Sequence, residues 1–245
     1  MNSPTGFVWK DGKATEIDPV AAMFNDAWFS QALHMTLAAF VATAFAVAGV
    51  HAFLLIKNRK NEFHKTALKI ALSFGAVAAI LQPLSGDISA KDVAKRQPAK
   101  LAALEAHYKT STHAGFVFGG IPNNKTEQVD YAIHVPGLLS YLAHGDFNAE
   151  VIGLDKFPKE ERPPVVITHV AFQIMILSGC LLALAGLLFI IFSTRWKNIL
   201  GKKWWLVFIA WLTPIGFIAV EAGWTVTETG RQPWIIYGVM KTKDA

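Results

Sequence analysis

Between Ala32 and Ile56 the chain carries no Asp, Glu, Lys or Arg. At 1.5 Å of rise per residue, a helix of that length crosses the roughly 30 Å hydrocarbon core of a bilayer. Backbone polar groups have no water partners there, so the run must fold as a helix. It ends in Lys57, Asn58, Arg59 and Lys60, followed by Lys65 and Lys69. Three further apolar runs come after it. One extends from about Ile70 to Ser85 and ends at Pro83 and Gly86-Asp87; it is short alone, and Thr66 to Lys69 can extend it by snorkelling. Another is uncharged from Pro163 to Thr194, clearest from Val165, and ends at Arg195, Trp196 and Lys197. The last runs from Trp204 to about Val220, where Pro214 predicts a kink. The expected fold is an all-α integral membrane protein: four transmembrane helices with a long outer-face loop.

The bulk numbers agree with that reading. The chain is 53% hydrophobic and only 17% charged, and its eight Trp and 17 Phe can supply interfacial belts. A formal net charge of +5 in a soluble protein would raise nucleic acid as a partner. Here the positive residues cluster in two short loops, 57–69 and 195–203, which is a topology signal instead, and no nucleic-acid partner is expected. Both loops are then cytoplasmic, and the N-terminal segment, the long loop and the C-terminal stretch lie on the outer side. Cys180 is the single cysteine, which excludes a disulfide within the chain and a Cys-based metal cluster. The first long apolar run starts only near Ala32, so no cleaved signal is expected.

These runs divide the chain into four segments. Residues 1–31 form a polar, turn-rich outer-side segment with Pro4, Gly6, Gly12 and Pro19, read as a loop; Trp28 and Phe29 sit where an interfacial anchor belongs. Residues 32–85 hold two transmembrane helices. Residues 86–164 form the long hydrophilic connection, with a short helix predicted from Pro98 to Glu105 and an apolar patch, Leu138 to Leu142, too short to cross. Residues 165–245 hold two more transmembrane helices and an outer-side tail.

The stretch Glu221 to Trp234, EAGWTVTETGRQPW, is electrostatically unusual. Glu221 and Glu228 are seven residues apart and share one helix face. A charged side chain at mid-bilayer costs roughly 2.5–3.5 kcal/mol on insertion scales, so such residues are expected where a cavity, metal or cofactor needs them. The pair reads as a proton relay, a heme-iron ligand or a structural ion pair with Arg231, and Arg231 can equally bind a heme propionate. His34 lies near the outer end of the first span. A lone helix histidine is more often a packing residue, and a Met such as Met175 is usually core. Together, at similar depth in separate spans, they can ligate a six-coordinate low-spin heme. His169 competes on the same helix but faces elsewhere. Lys100 and Glu105 read either as a solvated helix face or as a site for a quinol head group, whose oxidation releases two protons and needs acceptors. His107, His113, His134 and His144 show no metal-ligand spacing, and no phosphate-binding, Ser-His-Asp or HExxH pattern is present.

GRQPW at Gly230 to Trp234, preceded by EAGW at Glu221 to Trp224, resembles the signature of subunit I of the cytochrome bd quinol oxidases. Three further stretches resemble that family in order. QALHMTLAAFV around His34 is similar to the helix bearing a low-spin heme histidine. GDISAKDVAKRQPAKLAALEA, Gly86 to Ala106, is similar to the start of the quinol-binding loop. THVAFQIM, Thr168 to Met175, is similar to the helix bearing the heme methionine. GLDKFPKEERPPV, Gly153 to Val165, looks more like the short-loop, cyanide-insensitive branch. The resemblance implies that His34 and Met175 are axial ligands of a low-spin heme b, and that Lys100 and Glu105 are quinol-loop residues making 86–164 the quinol-binding loop. Glu228 matches the glutamate that ligates a heme of the high-spin pair (a high-spin heme b with heme d or a second heme b), and Arg231 and Trp234 would line that heme-pocket tail. Glu228 and Glu221 are the candidate catalytic residues. Two positions before Met175 some members carry an arginine; here it is Gln173.

Family subunits have about nine spans and this chain shows four, so it is expected to be a central and C-terminal fragment of a nine-helix subunit, from a longer, split or truncated gene. The first-helix histidine of the family and the acidic proton-path residues of that half are absent. The implied function is a heme-bearing part of a terminal oxidase that oxidises ubiquinol at the outer face of a bacterial inner membrane and reduces dioxygen to water. The implied partners are subunit II, a small accessory subunit and membrane lipid, and the fragment alone is expected to be inactive. A rival reading is a heme b anchor for electron transfer without oxygen chemistry; another is a heme-free remnant.

Overall fold

A computed structural model describes residues 4–10, 12–195 and 198–245; Trp196 and Lys197 of the second basic loop lie outside the described residues. The helices, in chain order, are α1 (Pro19–Met23), α2 (Trp28–Lys57), α3 (Glu62–Arg96), α4 (Pro98–Leu104), α5 (Leu138–His144), α6 (Val165–Arg195), α7 (Lys203–Trp211) and α8 (Ile215–Gly230). Among the described residues, four stretches are long and apolar enough to cross a membrane: Trp28–Lys57, Glu62–Arg96, Lys159–Arg195 and Lys203–Gly230. The expected all-α membrane architecture with four spans is therefore what the chain adopts.

Three local features differ from the sequence reading. The N-terminal segment is not simply a loop: Val8–Lys10 pairs antiparallel with Lys13–Thr15, and Asp18 caps α1 by accepting from the amides of Val20 and Ala21. The second span does not stop at Pro83 or Gly86-Asp87 but runs on to Arg96. A proline removes one helical hydrogen bond, yet the residues beyond Gly86 favour helix. Lys91 pairs with Asp87 at 2.6 Å and Arg96 with Asp92 at 3.6 Å, both at i,i+4 spacing. The Ser30 hydroxyl donates to Asp92 at 2.5 Å and the Ser89 hydroxyl to the Ser30 carbonyl at 3.4 Å, fixing this extension to the start of α2. Pro214 does more than kink the last span. α7 ends at Trp211 and α8 begins at Ile215, with the Thr213 hydroxyl taking up the Ala210 carbonyl at 2.6 Å.

The chain divides into two compact units. One comprises Leu33–Gly86 and Ile174–Ala222. Its core joins Phe45, Leu55, Leu68, Leu72, Leu182, Phe189, Trp205 and Ile209 around small residues, including Ala48, Ala52, Ala76 and Ala185. Small residues let helices approach closely: a Cβ at Gly186 would fall 2.8 Å from Ala76 Cα, and one at Gly216 would fall 2.6 Å from Ala42 Cα.

The other unit comprises the described residues up to Ala32, Asp87–Gln173 and Gly223–Ala245. Here the long connection folds around α4, whose residues Ala99 to Leu104 are all buried. Small antiparallel ribbons carry the rest, such as Phe116–Phe118 with Ile133–Val135 and Ile121–Asn123 with Gln128–Asp130. The first turns of α6 hold this fold in place. Gln173 accepts from the Gly119 amide at 3.1 Å and donates to the Val117 carbonyl at 2.8 Å. The fully buried His169 ring lies 2.7 Å from the Leu104 carbonyl through Nδ1 and 3.3 Å from the Gly119 carbonyl through Nε2. Gln173→Leu leaves two loop groups without partners and is expected to cost about 2–4 kcal/mol, measured as a lower thermal midpoint. An unchanged midpoint would rule this clamp out.

Candidate functional site

α4 forms because Pro98 occupies its first turn and Ala, Leu and Lys follow, all favourable in helices. Its burial overturns the reading of Lys100 and Glu105 as a solvated face: they are 6% and 3% exposed. The stem of Lys100 lies across the last residue of α8. A Cβ at Gly230 would stand 3.1 Å from Lys100 Cε, 3.2 Å from Cγ and 3.4 Å from Cδ. Two residues earlier, Glu228 accepts from Arg231 Nη2 at 2.5 Å, the i,i+3 ion pair expected from the sequence. Burial is the main force that brings the Lys100 ammonium down to about 8; Glu228 opposes it and Arg231 adds to it. The structure thus gathers Lys100, Glu228, Arg231 and Gly230 into one cluster of alternating charge.

Glu105 closes the far end of α4. Its Oε2 is buried without a hydrogen-bond partner, and burial pushes its pKa up to about 8, so at neutral pH the carboxyl keeps its proton. It can then donate one hydrogen bond and cannot take up a proton. Trp234 is half-buried in the tail, where Trp234–Ile236 pairs with Met240–Lys241. Lys241 Nζ sits 5.0 Å from its ring centroid and also pairs with Glu161 at 2.8 Å, tying the tail to the long connection.

The other unit holds His34 and Met175, both half-buried. His34 Nδ1 lies 2.9 Å from the Ser85 hydroxyl, and Gln82 Nε2 lies 3.2 Å from His34 Nε2 and 3.3 Å from the His34 carbonyl. Glu221, on α8 with Glu228, is exposed and belongs to this unit. Sequence reasoning missed Gln82 and Ser85. Their signal was present: two polar residues at i,i+3 spacing inside an apolar run. It also missed Gly230 as a contact of Lys100, which nothing in the sequence encodes.

These residues fit heme groups. A hydroxyl at Nδ1 can orient an iron-ligating imidazole from behind, while Nε2 is met by the Gln82 amide at 3.2 Å. Gln82 Oε1 is buried beside it without a partner. In the first unit, Arg231 Nε is likewise buried and unpartnered, a donor suited to a carboxylate such as a propionate, while Glu228 keeps one carboxylate oxygen outside its bond to Arg231.

Comparison with known proteins identifies the family. A family model described as cytochrome bd terminal oxidase subunit I matches residues 1–245. The chain is 40% identical over 250 residues to a Bacillus subtilis (strain 168) protein provisionally named cytochrome bd menaquinol oxidase subunit I, covering 99% of this chain and 55% of that one. It is 34% identical over 252 residues to cytochrome bd ubiquinol oxidase subunit 1 of the same organism, covering 99% and 54%. The solved bd oxidase from Geobacillus thermodenitrificans superposes with a TM-score of 0.90 at 37% identity, over 98% of this chain and 55% of that one. The chain spans about half the length of the curated relatives it matches. A match along the whole sequence, with the same fold at 37% identity, means that this chain belongs to the cytochrome bd terminal oxidase subunit I family.

Proposed function

We propose that this chain supplies the quinol-binding and heme-bearing part of a bd-type oxidase that oxidises quinol and reduces dioxygen to water in a bacterial membrane. One observation carries the reading most: the buried Lys100 of the long connection lies against Gly230 and in the field of Glu228 and Arg231. Those are the residues that the family resemblance assigns to quinol and heme. Two relatives are named for menaquinol and ubiquinol respectively, so the substrate class proposed is a quinol. Subunit II, an accessory subunit and lipid are proposed as its companions, with the quinol loop on the periplasmic side.

Bound hemes supply the one-electron steps between quinol and dioxygen. The chain's own residues hold, orient and move protons. His34 would offer Nε2 once the Gln82 amide, 3.2 Å away, moves aside, with its ring held through Ser85, and Met175 would offer a thioether. Glu228 offers a carboxylate oxygen, and Arg231 offers Nε to a propionate. At the quinol, the protonated Glu105 donates a hydrogen bond to one ring oxygen. Lys100, whose pKa lies near the ambient pH, can accept a proton in its neutral form and return it to water. Glu221 is a further proposed acceptor on α8.

Lys100→Met in the assembled oxidase is expected to raise the KM for quinol and lower kcat/KM by about 10²-fold, with the heme spectrum intact. Quinol kinetics unchanged from the parent would remove Lys100 from the substrate site.

A further inference from the structure

We propose that Gly230 is a positioning residue: its missing side chain seats the Lys100 stem across the end of α8, at the helix end that carries the Glu228–Arg231 pair. This deepens the quinol reading above and rests on it. Glycine at a helix end usually serves a left-handed backbone. Gly230 is helical, the last residue of α8, so any residue could adopt its backbone. What the position requires is space. Three carbons of one lysine stem stand within 3.1–3.4 Å of where a Cβ would be. Such separations are tighter than ordinary van der Waals contact, so a methyl group would make the stem give by a few tenths of an ångström. The stem cannot simply swing into solvent, because Lys100 is 6% exposed and α4 is buried on all sides. The tight approach therefore links the GRQPW turn to the long connection through one side chain.

The linkage brings Lys100 to the helix end that carries the Glu228–Arg231 ion pair. Arg231 is tied to Glu228 by its own i,i+3 spacing, while Lys100 comes from a separate helix and must be steered there. Gly230 is the residue of α8 that touches the Lys100 stem, two residues after Glu228 and one before Arg231.

The experiment compares Gly230→Ala, Lys100→Ala and the double variant in the assembled oxidase. Heme content, quinol kinetics and acetylation of Lys100 by an amine-reactive reagent are measured. Gly230→Ala alone is expected to raise the quinol KM by roughly 3-fold to 10-fold, with heme content retained and Lys100 acetylated faster than in the parent. In the Lys100→Ala background, Gly230→Ala should change nothing further, because the shortened side chain leaves room for the methyl. If Gly230→Ala fails to assemble, assembly of the double variant supports the proposal and its failure overturns it. Losses that multiply in the double variant, or a Gly230→Ala enzyme with parental KM and parental acetylation, also overturn it. If Lys100→Ala leaves quinol kinetics intact while acetylation still rises in Gly230→Ala, the quinol reading fails and the positioning role stands.

Discussion

His34→Ala is expected to leave the assembled oxidase without its six-coordinate low-spin heme: the low-spin b band disappears from the reduced-minus-oxidised spectrum, and quinol oxidation falls to background. The expectation is strong because the other histidines of the spanning helices are engaged elsewhere. His51 is committed to His64, their Nδ1 atoms 2.9 Å apart, and both ring nitrogens of His169 face backbone carbonyls. Losing the imidazole also removes one partner each from the Ser85 hydroxyl and the Gln82 amide, which converge on it. Met175→Leu should be milder in heme retention but visible in the potential, since thioether ligation raises it. Ser85→Ala should weaken heme retention by about 10–100-fold, as losing an outer hydrogen-bond partner does at other metal-ligating histidines. A heme that stays six-coordinate with His34 and Met175 both replaced would sink the assignment.

The second large effect is on stability against pH. Glu105 is raised from 4.5 to about 8 and Lys100 lowered from 10.5 to about 8. For Glu105, the folded state holds a proton that the unfolded chain has released between pH 4.5 and 8, so its contribution is lost as pH rises through that window and is flat above it. For Lys100, the unfolded chain holds a proton that the folded state has released between about pH 8 and 10.5, so stability recovers across that window. At about 1.4 kcal/mol per unit, the falling limb reaches at most about 5 kcal/mol and the rising limb about 3 kcal/mol. Their joint contribution has a minimum near pH 8. Glu105→Gln should erase the falling limb and Lys100→Met the rising one, read as thermal midpoints of each variant against the parent across pH. Parallel curves for Glu105→Gln and parent between pH 5 and 8 would mean the carboxyl is not held neutral.

Much of this arrangement is written in residue types. The absence of charge from Ala32 to Ile56 specifies a span without reference to any partner, and Pro98 followed by helix formers specifies α4. The Glu228–Arg231 pair follows from i,i+3 spacing alone. What sequence spacing does not encode is burial. Lys100 and Glu105 look like a solvated pair until α4 is seen to be enclosed. Punctuation also misleads where tertiary contacts outweigh it: Pro83 and Gly86 look like a helix end, but Asp87, Asp92 and Ser30 carry α3 past them. Pro214 is a true boundary because the preceding turn can satisfy its own carbonyls through Thr213. Contacts between distant segments, such as Lys100 on Gly230 or Gln82 on His34, depend on packing that no local pattern records.

The clamp formed by Gln173 bears on how such subunits can diverge. A carboxamide meets the Gly119 amide with its oxygen and the Val117 carbonyl with its nitrogen. A guanidinium has donors only. An arginine at this position could keep the second bond but would leave the Gly119 amide unanswered, so it could be inherited only with a loop that turns differently there. Side chain and loop geometry should then pass between lineages as a matched set, and a chimera joining one lineage's α6 to another's long connection would break at Gly119 before it failed anywhere in its chemistry.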